Sequence, residues 1–259
     1  MIRIGVTETY DPAYCIQDWY DRYDEFDLVI FITKSLSDRL IQLFTEDEHW
    51  NHRAKSSIIH LTVTGHGGTA LEPNVVDHLR MRYYIQRLIN AGYPSERLVL
   101  RIDPIIPTSD GIQRFIQVLM DYKDLGISRV RVSVLDMYNH VRARLHETEF
   151  EDILKSYTSH NFRADLEWFN LINEVLKDED VKHLKFESCA EALLSCDKVG
   201  CVSSLDLQLN HIDQSDLQLG NQRYGCLCLA KKQLIPYGMS RGRCPNKCLY
   251  CYLKDNSDY

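Results

Sequence analysis

"RLVLRIDPIIPTSDGIQRFIQVLMDYKDLGISRVRVSVLD", residues 97–136, is the stretch that decides the fold. Its opening ten residues, 97–106, are rich in Val, Leu and Ile, as in a strand covered on both faces. From 109 to 125 the period changes. Ile112, Phe115, Ile116, Leu119 and Met120 fall on one helical stripe, with Ser109 or Asp110 as the expected cap and Gly126 as the stop. A second strand follows at 129–136. Strand, helix, strand in this order forms a unit whose two strands run parallel.

The same alternation extends in both directions. Further strands are expected at 2–8, 28–34, 57–65 and 183–189, with apolar helical stripes at 76–89 and 166–176. Six strands in alternation predict an α/β fold, a partial (β/α)6 TIM-like barrel, with an open doubly wound sheet as the alternative. "GVTETYDP" (5–12) has a single glycine, which excludes the glycine-rich dinucleotide fingerprint. After Ser188 cysteines become dense and helical periodicity fades. The expected division is therefore a barrel at 1–188 and a cysteine-rich, iron–sulfur-binding extension at 189–259, packed on the barrel.

The chain has 259 residues and is 44% hydrophobic, enough for a substantial core. It has no apolar run of 18 residues, so no membrane span is expected. "MIRIGVTETYDPAY" (1–14) lacks the features of a secretion signal, so a cytoplasmic location is expected. In that reducing setting the nine cysteines point to metal ligation or catalysis rather than to disulfides. A net charge of −7 argues against broad coating of nucleic acid. The run 231–254 is nevertheless basic, with no acidic residue. It is read either as a solvated tail or as a local field for an anionic partner, nucleic acid included.

In parallel α/β folds the chemistry gathers at the C-terminal strand ends. Those ends present Thr7 and Glu8, Thr33 and Lys34, Arg101 and Asp103, Ser133 and Asp136, and Glu187 with Cys189. Arg101 and Asp103 share one side of their strand, either as a structural ion pair or as a clamp for a polar ligand. "TVTGHGGTALEP" (62–73) closes the third strand with three glycines, which let backbone approach a ligand closely or simply make a tight turn. His66 and His140 lie near strand ends but receive no catalytic role.

Cys244, Cys248 and Cys251 are spaced C-x3-C-x2-C, with Tyr250 before the last. Three thiolates can hold three irons of a 4Fe–4S cube and leave the fourth iron open. Zinc is the alternative, although a structural zinc usually has four ligands. A second group, Cys189, Cys201, Cys226 and Cys228, is a candidate for another 4Fe–4S cluster or a zinc ion. Cys15 and Cys196 are read as ordinary small residues.

The C-terminal spacing resembles the core motif of radical S-adenosylmethionine enzymes. More broadly, "VIFITKSL", "LTVTGHGGTALEPNV", "LRIDPIIP", "RVRVSVLDMY", "FESCAE", "NQRYGCLCL" and "CPNKCLYCY" occur in an order that resembles a domain-of-unknown-function family, DUF1848. A distant similarity to spore photoproduct lyase-like radical proteins accompanies it. One departure is the first turn, "TETYDPAY", where the family pattern is arginine-rich.

This resemblance implies a radical-enzyme barrel whose cluster cysteines have moved to the end of the chain. It implies that Gly67, Gly68 and Glu72 contact the methionine part of S-adenosylmethionine, and that Tyr250 packs near its adenine. Lys34, Arg101 and Asp103 are then catalytic candidates, and Ser133 a cofactor contact. Such an enzyme would need an external electron donor. The expected function is modification of a substrate, nucleic acid among the candidates, through a 5′-deoxyadenosyl radical. The rival is a non-catalytic binding or adaptor protein stapled by iron–sulfur or zinc. The first reading requires the tail to fold back over Gly67 and Arg101.

Overall fold

The computed structural model describes residues 2–47, 56–158, 161–217, 227–229, 232–233 and 244–253. Its strands are β1 (Ile4–Val6), β2 (Leu28–Thr33), β3 (Ile58–Thr62), β4 (Leu98–Ile105), β5 (Arg129–Val134), β6 (Lys185–Ser188), β7 (Asp197–Lys198) and β8 (Lys232–Gln233). They form one sheet in the order β7-β6-β5-β4-β3-β2-β1-β8, and every neighbouring pair is parallel. From β1 to β7 the spatial order is the chain order. A doubly wound sheet would reverse at a switch point, and this one does not.

The helices are α1 (Ile16–Tyr20), α2 (Asp38–Thr45), α3 (His78–Asn90), α4 (Ser109–Tyr122), α5 (Asn139–Leu145), α6 (Leu166–Leu176) and α7 (Ser204–Gln208). Helix α4 buries Ile112, Phe115, Val118, Leu119 and Tyr122. Its cap differs from the expectation of Ser109 or Asp110: the Thr108 hydroxyl accepts from Gly111 N–H at 3.1 Å. Thr108 still has extended backbone, the geometry that directs a side-chain oxygen at the first free N–H groups.

Strand alternation sends the two sets of side chains into different cores. Val29, Phe31, Ile59, Leu61, Leu98, Leu100, Val130 and Val132 pack with helices α1 to α6. Ile4, Val6, Leu28, Ile30, Ile32, Ile58 and Val99 point the other way, against Val202, Leu207 and Leu229. The extension after β6 thus fills one face of the sheet and also supplies two of its strands. No helix among the described residues is long and apolar enough to cross a membrane.

That filled face carries a buried charge network. Arg131 Nη2 lies 2.7 Å from Glu187 Oε2, and Arg129 Nη1 lies 2.8 Å from Asp206 Oδ1. Arg129 Nη2 also donates to Ser203 Oγ, and Arg131 Nη1 to the Cys201 carbonyl. Ser203 and Asp206 make a reciprocal cap at the start of α7. Desolvating these charges is costly unless every one is paired, so the network holds residues 201–206 against β5 and β6 in one arrangement.

The C-terminal strand ends, from Glu8 after β1 to Cys189 after β6, line one cavity, so the sheet curls around it. In a flat sheet β1 and β7 would stand roughly 29 Å apart. Here Glu8 Oε1, just past β1, lies 3.9 Å from Cys201 Sγ, three residues beyond β7. Three residues of chain reach about 10 Å at most. No strand pair joins β7 to β8 among the described residues, so the sheet stays open.

Candidate functional site

Curling brings the C-terminal strand ends around one cavity of about 560 Å3. Glu8, Lys34, Thr62, Arg101, Asp103 and Ser133 line it from the strands. Cys189, Cys201 and Cys228 line it on the extension, and Cys244, Cys248, Tyr250 and Cys251 line it from the tail. Cys226 lies outside the described residues, as does most of the basic run 231–254. Gly67, Gly68 and Glu72 do not line the cavity. Glu72 bonds Tyr250 of the tail, and Gly67 and Gly68 belong to the turn that carries Glu72.

The tail docks through bonds that span most of the chain. Asn246 is the hub: its Nδ2 donates to Asp11 Oδ2 at 3.1 Å, and its Oδ1 accepts from Ser35 Oγ at 2.9 Å and from the Tyr14 hydroxyl at 3.2 Å. Asp11 also accepts from Lys34 N–H at 2.7 Å and Thr33 Oγ1 at 2.8 Å, while burial pushes its carboxyl pKa up despite these donors. Leu249 N–H donates to the Leu71 carbonyl, and Asn74 Nδ2 to the Pro245 carbonyl. On the far side Arg144 donates to the Cys251 carbonyl, and a His140 ring nitrogen bonds the Tyr252 carbonyl at 2.7 Å. The tail therefore folds back across the glycine-rich turn, and Tyr252 reaches the cavity wall that Arg101 shares.

Behind Cys248 lies a buried polar cluster. Lys34 Nζ donates to Glu72 Oε1 and to the Tyr250 hydroxyl, each at 2.8 Å. Tyr250 donates to the same carboxylate oxygen, and Thr64 Oγ1 donates to the other at 2.6 Å. Burial alone would raise the Glu72 pKa, but the Lys34 charge and these donors hold it below the usual carboxylate range. Burial likewise opposes the Lys34 charge, and Glu72 outweighs it. The pair is ionised. Gly67 allows the turn beneath it, since a Cβ there would meet the Val76 carbonyl oxygen at 2.0 Å. Gly68 has φ +78°, a region that side chains disfavour.

Arg101 and Asp103 form an ion pair, and Ser133 Oγ donates to Asp103 Oδ1 at 2.7 Å. The structural ion pair is present, and both residues line the cavity. Among the described residues, two polar atoms of wall residues, Arg101 Nε and Thr62 Oγ1, are buried with no hydrogen-bond partner. Such atoms are rare in folded proteins and mark places where a ligand or water completes the bonding.

The two cysteine groups differ. The Sγ atoms of Cys189, Cys201 and Cys228 all lie within 4.8 Å of one another, and all three residues are buried. This set can hold a metal. Cys244 and Cys251 are partly exposed while Cys248 is buried, and burial pushes the Cys248 thiol pKa well up against the pull of Lys34. A metal there must displace a proton, so its binding would strengthen as pH rises. Cys196 stands outside both groups, and Cys15, pushed up to about 12 by burial, accompanies the first turn.

Sequence reasoning missed Asp11, Asn246, Thr62 and Gly200. Asn246 sits inside the cysteine motif, and an Asn between two ligands is a signal only once its partners are known.

A family model described as "Domain of unknown function (DUF1848)" matches residues 2–253. Neither the curated proteins nor the solved structures yield a match.

Proposed function

This chain belongs to the DUF1848 family, and we propose that it is a radical S-adenosylmethionine-type enzyme on a partial (β/α)6 TIM-like barrel. Cys244, Cys248 and Cys251 would hold a 4Fe–4S cluster. The observation that carries this reading is the docking of their motif over the strand ends, all three lining the cavity that Lys34, Arg101 and Ser133 also line.

The donor chemistry suits such a group, and the Sγ atoms of Cys244, Cys248 and Cys251 are not gathered within 4.8 Å of one another as those of Cys189, Cys201 and Cys228 are. A donor set of three thiols leaves one iron without a protein ligand, and the cavity offers room beside it. Cys244, Cys248 and Cys251 would hold the cluster, and such a group with S-adenosylmethionine would supply one-electron radical chemistry, the electron coming from an external donor.

The chain's own residues bind and orient. Arg101 lines the cavity with its Nε unpartnered among the described residues, and in this reading its guanidinium would bind a carboxylate or another anionic group. Asp103 and Ser133 hold the guanidinium in place. Lys34 and Glu72 cancel each other's charge and fix Tyr250 beside Cys248. The tail covers the strand ends and restricts water. An external electron donor is required, and the basic run 231–254 makes nucleic acid a candidate substrate.

The rival reading, a non-catalytic binding protein stapled by metal, draws support from Cys189, Cys201 and Cys228, which tie the extension to the sheet. Anaerobic iron and sulfide analysis separates the two. The enzyme reading expects about four irons and four sulfides that are lost in C244A/C248A/C251A. A colourless wild-type protein holding only zinc would refute it.

A further inference from the structure

We propose that Cys189, Cys201 and Cys228 hold a single soft divalent ion of the zinc class, whose fourth position opens into the cavity beside Glu8 and takes a donor atom from the bound molecule. The metal site stands on its own residues. Only the identification of that molecule as the substrate rests on the enzyme reading above.

The first argument is spacing. Zinc–sulfur bonds of about 2.3 Å place tetrahedral sulfurs roughly 3.8 Å apart. Three Sγ atoms within 4.8 Å of one another need only a small inward shift to meet that. A four-iron cube seats each sulfur on a different iron and spreads its ligands more widely.

The second argument is how much of the fold serves this convergence. Cys189 follows β6, Cys201 stands just before α7, and Cys228 lies on the segment that leads to β8, the opposite edge of the sheet. Gly200 lets those segments touch: a Cβ there would sit 2.6 Å from Cys228 Cα and 2.7 Å from its nitrogen. Cys201 N–H donates to Cys228 Sγ at 3.0 Å, a bond that favours thiolate over thiol. Arg131 fixes the Cys201 carbonyl from below.

The third argument concerns the open side. All three cysteines line the cavity, and among the described residues no fourth thiol, imidazole or carboxylate is gathered with them. Glu8 lines it too, with Oε1 3.9 Å from Cys201 Sγ. Three protein ligands and one exchangeable position are the pattern of reactive zinc sites, whereas structural sites are closed by four. The matching ligand class is a molecule with a thiolate, aromatic nitrogen or carboxylate donor.

Metal analysis and cobalt substitution of the full-length protein test this. Expected is one zinc per chain, retained in C244A/C248A/C251A and lost in C201S. Cobalt-loaded triple variant should show sulfur-to-cobalt charge transfer and intense tetrahedral bands that shift saturably with imidazole as probe. The variant Glu8→Gln should keep the ion and change the imidazole affinity. Iron and sulfide persisting in the triple variant would overturn the single-ion assignment. Bands insensitive to imidazole, or loss of the ion in Cys226→Ser, would overturn the open position. If C201S does not fold, the metal content of the triple variant decides alone. Because that variant lacks the proposed cluster ligands, failure of the enzyme reading leaves this result intact.

Discussion

Lys34 Nζ lies 2.8 Å from Glu72 Oε1, joining the end of β2 to the glycine-rich turn after β3 at a point that Tyr250 covers. Glu72 is 1% exposed, so neither charge can be left alone cheaply. Replacing Glu72 by Gln should cost about 3–5 kcal/mol, as when one partner of a buried pair is removed. In urea denaturation, K34M/E72Q should lose less than the two single variants together, because the double change removes both charges.

Arg131 supports two things at once, Glu187 and the Cys201 carbonyl. Arg131→Met should destabilise by less, about 1.5–3 kcal/mol for the lost charged hydrogen bonds, because Glu187 keeps Arg129 as a partner at 3.4 Å. It should also speed loss of the ion at Cys189, Cys201 and Cys228 to a chelator, measured in the folded protein at low temperature. A stability loss without faster metal release would show that the network does not position the cysteines.

Gly200→Ala drives a methyl group into the Cys228 backbone. The expected cost is about 1–3 kcal/mol of overpacking. Metal analysis should find less zinc and unchanged iron, since Cys244, Cys248 and Cys251 dock through other contacts.

His66 is 5% exposed, and its pKa is lowered to about 4, mainly by burial, with Arg114 and Lys34 adding to the effect and Glu72 and Asp110 opposing it. The unfolded chain binds this proton more readily than the folded one, so stability falls as pH drops from about 6.5 toward 4 and is unaffected above that window. At pH 5 the loss should be about 2 kcal/mol. Urea midpoints at pH 7 and pH 5 should therefore differ more in the wild type than in His66→Gln.

Much of the sheet was legible because runs such as "LVIFITK" (28–34) have strongly strand-forming composition, and they emerge as strands within a few residues of the expected limits. Strands β7 and β8 were not legible. Each has two residues, too few for any periodicity, and pairing to a longer neighbour makes them strands. The cap of α4 shifted by one residue because Thr108, Ser109 and Asp110 are all competent and backbone geometry selects among them. The C-terminal cysteines could be read from spacing because they share a short segment. Cys189, Cys201 and Cys228 were grouped, with Cys226, from cysteine density alone, and the three described members do converge; their irregular spacing could not show how, since that depends on the fold and on a missing side chain at Gly200. Asp11 and Asn246 were invisible for a related reason: a bond across 235 positions leaves no local pattern.

The most direct test of the central claim is 5′-deoxyadenosine formation. Anaerobically reconstituted protein, incubated with S-adenosylmethionine and dithionite, should release it, and Cys248→Ala with unchanged folding should release none. Equal release from both proteins, or none from an iron-replete wild type, would contradict the assignment of Cys244, Cys248 and Cys251 to a catalytic cluster.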